Sequence, residues 1–353
     1  LDRLVSYLFI RREAVESSRM EGTLSTIDHL LTPGNLLDDW KAKSEGATVR
    51  GYAHALEEEM KKVSSKGLGI FTLELVSRLH KGMMSHDPRF KGIPGRIRES
   101  GKPGDVVWIR GRSPRPEDSL YNPPPATQVL PCLKATLEWL SNPEFAKQGD
   151  AGLGMPLLVR MAIGHAHFEA VHPFSDGNGR IGRMLLALQM ACAGKLPVYL
   201  SGYIESEKAE YSRVLQAAQK KLKYLPIIEF FAQAIIASSH EEEETRRRIE
   251  SLPVEWMQRG GFRKKSAAER ALTWIRSHPI FTVKQLQEAL SSSPQAANSA
   301  VQLLQKQGVV RERTGSSRNR IFAAEEVLSL LGRRFGSDPD EAIEGARRLL
   351  GLG

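Results

Sequence analysis

Cysteine is almost missing from this sequence. Cys132 and Cys192 are the only two in 353 residues, they lie far apart, and no CxxC pattern occurs. That excludes a disulfide-stapled fold and a zinc site built on paired cysteines. It makes a reducing, cytoplasmic setting without a structural metal the expectation. Long apolar runs are missing too. None reaches the ~18 residues that a membrane span needs, and no signal peptide is visible at Leu1, so no membrane partner is expected. There is no internal repeat and no long low-complexity tract. Hydrophobic residues nevertheless make up 41% of the chain, enough for a sizeable core, and the length suits two or three domains.

The net charge of +9 is unevenly placed. Residues 246–320 hold 15 Lys and Arg against 5 Asp and Glu, a surplus of +10, so the rest of the chain carries −1. An acidic partner, with DNA as a candidate, is therefore expected for that segment alone.

Helical periodicity dominates. Residues 3–20 carry Leu4, Leu8, Val15 and Met20 at helical spacing and run into Gly22, which suits a helix closed by a glycine. The spacing predicts further helices over 48–64, 72–84, 126–141, 156–171, 180–193, 205–222 and 226–250. Residues 92–111 change character. Glycines and prolines break any helix there, while 96–99 and 106–110 can pair as a β-hairpin. A proline-rich connection, 114–125, follows. His165 and His167 read as helix residues, one buried and one lining a site, and Cys192 as core. The acidic run 241–244 before Arg246, Arg247 and Arg248 reads as solvated helical pairs.

Residues 172–183 read His-Pro-Phe-Ser-Asp-Gly-Asn-Gly-Arg-Ile-Gly-Arg. Glycines at 177 and 179 let backbone amides turn toward an anion. The helix that follows adds its N-terminal amides and positive dipole end. Arg180 and Arg183, expected in its first turn, are unfavourable there unless an anion is bound between them, and arginine suits bidentate phosphate contact. Asp176 is of the type that Mg²⁺ uses alongside phosphate oxygens. His172 can accept a proton from an attacking hydroxyl. Taken alone, His-Pro or Gly-x-Gly is a turn. Their coincidence with an acid, an asparagine and two arginines points to phosphoryl-centre transfer. Phe174 reads as a buried anchor of the loop.

The block resembles the Fic motif, HPFx(D/E)GNGRxxR, at every fixed position, and the resemblance extends over most of residues 10–240. It implies a mainly α fold, with a Fic-type helical core and a β-hairpin flap. The reaction implied is transfer of AMP from ATP to a protein Ser, Thr or Tyr hydroxyl, with pyrophosphate released. By that resemblance His172 is the base and Asp176 the Mg²⁺ ligand. Gly177, Asn178, Gly179, Arg180, Ile181, Gly182 and Arg183 form the ATP and phosphate site, with Arg183 nearest the γ-phosphate. The flap, with Trp108 and Ile109, docks the target's extended segment by strand addition. Tyr211 is the candidate for the adenine side, where many members have a Tyr-Tyr pair and this chain has Tyr211-Ser212.

Residues 17–22, Ser-Ser-Arg-Met-Glu-Gly, resemble the family's inhibitory pattern, (S/T)xxxE(G/N), on Ser17 and Glu21. An anion at a helix C-terminus and a cation at a helix N-terminus each oppose a dipole. Pairing Glu21 with Arg183 would relieve both and occupy the arginine that ATP needs. In some relatives the same glutamate positions water for removal of AMP, so a de-AMPylase stays open.

Residues 266–335 resemble a small winged helix-turn-helix domain: helices at 267–277, 284–290 and 294–307, then strands 309–313 and 319–323. Helix 294–307 would be the recognition helix, with Ser292, Ser293, Gln295, Asn298 and Gln302 available to bases. Arg311, Arg313, Arg318 and Arg320 would meet phosphates. Dimerisation and target docking are the competing roles. The expected layout is thus an N-terminal helical region at 1–90, a catalytic core at 91–250, a linker at 251–265, the winged helix at 266–335 and a tail at 336–353. Expected partners are ATP and a target protein, with the chain itself, a second copy and DNA as candidates. The competing function is a DNA-binding regulator that only senses nucleotide.

Overall fold

The structure, a computed structural model, describes residues 3–32, 40–99, 107–109, 118–146, 154–314 and 320–352. The first helices are α1 (Arg3–Met20), α2 (Ile27–Leu31), α3 (Trp40–Lys66) and α4 (Leu73–Met84). Next come α5 (Ala126–Ser141), α6 (Pro143–Ala146), α7 (Leu157–Val171) and α8 (Asn178–Cys192). Then follow α9 (Ser201–Ser206), α10 (Lys208–Lys221) and α11 (Leu225–Gln258). The chain ends with α12 (Ala267–Ile275), β1 (Ile280–Thr282), α13 (Val283–Ala289), α14 (Pro294–Lys306), β2 (Arg311–Glu312), β3 (Ile321–Ala323), α15 (Glu325–Gly332) and α16 (Pro339–Leu349). The fold is mainly α. It divides into two compact units, Glu13–Ser25 with Ser44–Ser239, and Leu1–Arg12 with Thr26–Lys43 and His240–Gly353.

The first unit is built around α7 and α8. Both helices are apolar on nearly every side, which fits burial on all sides. Met161, Ala162, Ala166 and Phe168 of α7, and Ile181, Leu186 and Met190 of α8, are all buried. Met161, Ala162, Ala166, Leu186 and Met190 share a core with Ile204, Val214, Phe230 and Phe231. Burying each of the Met, Leu, Ile, Val and Phe side chains contributes about 1.5–3 kcal/mol. Helices α5 and α10 pack on α7, and α4 packs on α8. α7 stops because His172 takes a left-handed conformation, φ 49° and ψ 61°, and Pro173 follows, which has no amide to continue the ladder.

Several boundaries differ from expectation. α3 begins eight residues earlier than 48. The helix expected over 205–222 is broken at Glu207 into α9 and α10. α8 begins at Asn178 rather than 180, which puts Arg183 in its second turn. Residues 96–99 form no strand. The Arg98 amide is instead bonded to the Pro173 carbonyl at 2.9 Å, and Ile109 pairs antiparallel with Tyr121. The remaining hairpin residues, Val106 and Arg110 among them, lie outside the described residues.

In the second unit, α12, α13 and α14 each start on a side-chain cap, from Ser266, Thr282 and Ser293. These caps satisfy first-turn amides. α12 and α13 pack on α14. The strands form one antiparallel sheet in the order β1-β3-β2. Arg318 lies outside the described residues.

Two expectations are overturned here. Residues 251–258 continue α11 rather than forming a linker. The fully buried Trp256, whose Nε1 donates to Glu326 at 2.6 Å, and ion pairs from Glu255 to Arg248 and Arg347 carry the helix past Pro253. The tail is also ordered into α16, capped by Asp338, because Ile343 and Ala346 are buried. The wing arginines are engaged internally: Arg311 with Glu325 at 3.3 Å, Arg313 with Asp28 and Glu325, and Arg320 with Glu312 at 3.6 Å.

Candidate active site

The turn between α7 and α8 is held from three sides. Inside it, the Asn178 side chain accepts from the Phe174 amide at 2.9 Å and donates to the Phe174 carbonyl at 2.8 Å. Asn178 is thus a staple of the loop, and its backbone amide, at the start of α8, is the group that faces outward from the helix end. From α4, His80 stacks on the buried Phe174 with centroids 3.9 Å apart. Its Nδ1 accepts from the Gly95 amide at 2.7 Å, which leaves Nε2–H to donate to the Asp176 carbonyl at 3.2 Å. From 96–99, expected as the first arm of the flap, the Arg98 side chain reaches the carbonyls of Val171 and His172.

Gly177 takes φ 80°, a left-handed conformation, and is the N-cap of α8. The first intrahelical bond runs from the Ile181 amide to the Gly177 carbonyl at 3.1 Å. The amides of Asn178, Gly179 and Arg180 precede that bond and have no carbonyl of their own helix to use. They form the anion-facing end. Ile181 is fully buried and its amide is spent in the helix, so it belongs to the core rather than to the phosphate site.

His172 is half-buried, and loss of solvent around the imidazole lowers its pKa to about 4, with the Arg98 guanidinium pushing the same way and the Glu169 carbonyl and Glu21 opposing. The imidazole is therefore neutral at neutral pH and able to accept a proton. The Asp176 side chain is 59% exposed, with Oδ1 accepting from the Gly177 amide at 2.6 Å. Arg180 lies 3.7 Å from it.

Arg183 is 3% exposed and already engaged. Its Nε donates to Ser17 Oγ at 2.7 Å, and its Nη2 donates to the Ser17 carbonyl at 2.8 Å and to Glu21 Oε1 at 2.9 Å. Burial opposes the charge on Glu21, but Arg183 outweighs it and holds the carboxyl below its usual range. The end of α1 is fixed further by Lys208, which donates to the Met20 carbonyl at 2.8 Å, and by Arg19 with Glu205 at 3.2 Å. Glu21 crowds the cradle itself: a Cβ built on Gly179 would lie 2.8 Å from Glu21 Oε1.

Two buried carboxyls stand near Arg183. Glu13 accepts from Ser201 Oγ at 2.6 Å and Tyr52 at 3.2 Å, and burial lifts its pKa to about 7. Burial lifts Glu169 to about 7 as well. Sequence reasoning passed over both, and over His80 and Arg98. For Glu169 there was a signal, a lone acid within an apolar helix. For Arg98 there was none, because it is one of several arginines in a basic stretch.

Tyr211 is 7% exposed, and its hydroxyl is bonded to His165 Nε2 at 2.7 Å. It is a core residue of this unit. A cavity of about 330 Å³ lies instead beside Ala170 and Val171, just ahead of His172, with His167, Gln219, Tyr121 and Pro124 among its walls. The Gln219 Nε2 atom is buried and has no partner among the described residues. Trp108 is half-buried, next to Ile109 and its pairing with Tyr121. No cluster of three metal-ligating side chains occurs among the described residues, and none of their helices is long and apolar enough to cross a membrane.

Residues 70–190 match the Fic/DOC family model, so this segment is similar to Fic domains. It is 30% identical over 117 residues to a probable protein adenylyltransferase of Aquifex aeolicus, covering 31% of this chain and 34% of that one. It is 36% identical over 98 residues to the protein adenylyltransferase fic-1 of Caenorhabditis elegans, covering 28% of this chain and 17% of that one. The match thus spans about a third and a sixth of these relatives. In fold it resembles a Fic family protein from Desulfovibrio desulfuricans, with TM-score 0.53 at 20% identity over 92% of this chain and 88% of the other. A Fic domain-containing signaling protein from Bacteroides thetaiotaomicron also gives TM-score 0.53, at 16% identity over 66% of this chain and 85% of the other.

Proposed function

We propose that this chain is an autoinhibited protein adenylyltransferase, moving AMP from ATP to a hydroxyl of a protein. The observation that carries the reading is a neutral, half-buried His172 placed one short turn ahead of the first-turn amides of α8. The adenylyltransferase names of the relatives support the transferred group.

In this reading the amides of Asn178, Gly179 and Arg180 and the guanidinium of Arg180 receive the phosphates. Asp176 fits Mg²⁺, because it is an exposed carboxylate beside an anion site and Mg²⁺ is commonly held by one or two carboxylates plus phosphate oxygens and water. When bound, the ion would neutralise phosphate charge. The target's hydroxyl oxygen attacks the α-phosphorus and His172 takes its proton. The bond to the bridging oxygen breaks and pyrophosphate leaves with the electron pair. The extended segment at 107–109, bridged to Tyr121 at Ile109, would receive the target's extended segment. The cavity beside Val171 would take the nucleobase, with the Gln219 amide offered to its edge, in place of Tyr211.

Glu21 is the brake: while Arg183 is bound to it and to Ser17, the γ-phosphate cannot meet Arg183. DNA binding through α14 would have the wing's described arginines exchange their present ion pairs for phosphates.

Intact-protein and peptide mass spectrometry of the Glu21→Gly variant, incubated with ATP, Mg²⁺ and a cell lysate, tests the transferred group. One added nucleoside monophosphate on a hydroxyl residue is expected. A phosphate alone would replace AMP transfer with phosphorylation.

A further inference from the structure

Arg98 lies outside the 172–183 block, in a stretch without regular secondary structure, yet it is 3% exposed. Its Nε donates to the His172 carbonyl at 2.8 Å, and its Nη2 donates to the carbonyls of Val171 at 3.1 Å and Pro124 at 3.2 Å. Its own amide donates to the Pro173 carbonyl at 2.9 Å. One residue therefore holds three consecutive carbonyls, 171 to 173, and joins them to the segment that returns from the flap.

Those carbonyls need a partner. The last carbonyls of a helix have no intrahelical donor, and a cation is favoured beside them. The backbone at His172 also needs restraint. Its φ of 49° and ψ of 61° lie in the left-handed region, which costs a residue with a side chain about 1–2 kcal/mol. Such a conformation persists where its surroundings over-determine it. A planar, forked guanidinium can hold several carbonyls in a fixed arrangement, which the point charge of lysine cannot.

We propose that Arg98 is the positioning residue of the proton acceptor: it holds the left-handed turn at His172, and so sets where the imidazole stands relative to the α8 amides. The same guanidinium acts on the imidazole's charge, second to burial in keeping it neutral. This rests on the reading of His172 as the base of AMP transfer, and it adds a residue that the motif does not contain.

The test uses the full chain with Glu21→Gly, alone and with Arg98→Lys or Arg98→Met. Calorimetry gives the affinity for ATP with Mg²⁺, a label on the α-phosphate gives kcat and KM, and the ¹³Cα and ¹⁵N shifts of His172 report its backbone. Arg98→Lys keeps the charge but not the fork, and it serves if Arg98→Met does not fold. We expect the ATP affinity and the KM for ATP to stay within about twofold, since the α8 amides are untouched, while kcat falls about 10- to 100-fold, the scale of a misplaced reacting group. The His172 shifts should leave the left-handed range. A full rate in Arg98→Lys, or kcat and ATP affinity falling together, overturns the proposal. If Glu21→Gly alone binds ATP and transfers nothing, the AMP-transfer reading fails. The His172 shifts then decide the role of Arg98 alone, and shifts identical to the parent reject it.

Discussion

The Nη2 of Arg183 donates to Glu21 Oε1 at 2.9 Å across 162 positions of sequence. The same nitrogen donates to the Ser17 carbonyl, and the neighbouring Nε donates to Ser17 Oγ. One turn at the end of α1 thereby satisfies an arginine that the proposed reaction needs for phosphate.

Ser17→Ala removes the acceptor for Arg183 Nε but keeps the carbonyl and Glu21. A buried donor left unsatisfied costs about 1–3 kcal/mol. Urea unfolding should show a loss of that size with an unchanged slope. Basal transfer should rise less than in Glu21→Gly, because the carboxylate still faces Arg183. Equal activation by the two variants would assign the brake to the hydroxyl.

Asn178→Ala should disable the loop more than the cradle. Both lost bonds go to the Phe174 backbone, and stability should drop by about 1–3 kcal/mol. In the Glu21→Gly background transfer should fall steeply, although no side chain proposed to touch ATP has changed. Retained transfer with a lowered melting temperature would make Asn178 a purely structural staple.

The buried carboxyl of Glu169 predicts a pH dependence of stability. Its pKa rises from 4.5 to about 7 in the folded chain, so the native state binds the proton more tightly than the unfolded state does. Its contribution is full below the unfolded value and declines as pH rises toward the folded value, by about 1 kcal/mol per pH unit between them. Glu169→Gln should remove that slope in denaturation curves measured across the window. An unchanged slope would move the effect to Glu13, which is raised to the same value.

Much of this was legible in the chain. The motif carried its own structural context, an apolar helix, a turn and a second helix, and α7 and α8 bury the sides that their composition demands. What escaped reading depended on contacts far apart in sequence. Tyr211 was expected beside a nucleobase, but a hydrogen bond to His165, 46 positions away, draws it into the core. Residues 251–258 look like a linker by local composition, yet the burial of Trp256 against Glu326 keeps them helical. The acidic partners of Arg311 and Arg313 could not be read from the local sequence either, because Glu325 and Asp28 reach them through the fold. Periodicity reports which face is buried, whereas the partner of a buried polar group is set by topology.

Glu21→Gly separates a brake on Arg183 from an inert helix end. Wild type and variant, both with ATP labelled on the α-phosphate and Mg²⁺, are compared for label fixed in protein from the same lysate. The account predicts a gain of about tenfold or more, equivalent to ~1.4 kcal/mol, which His172→Ala abolishes in the same background. Equal labelling by wild type and Glu21→Gly would contradict it.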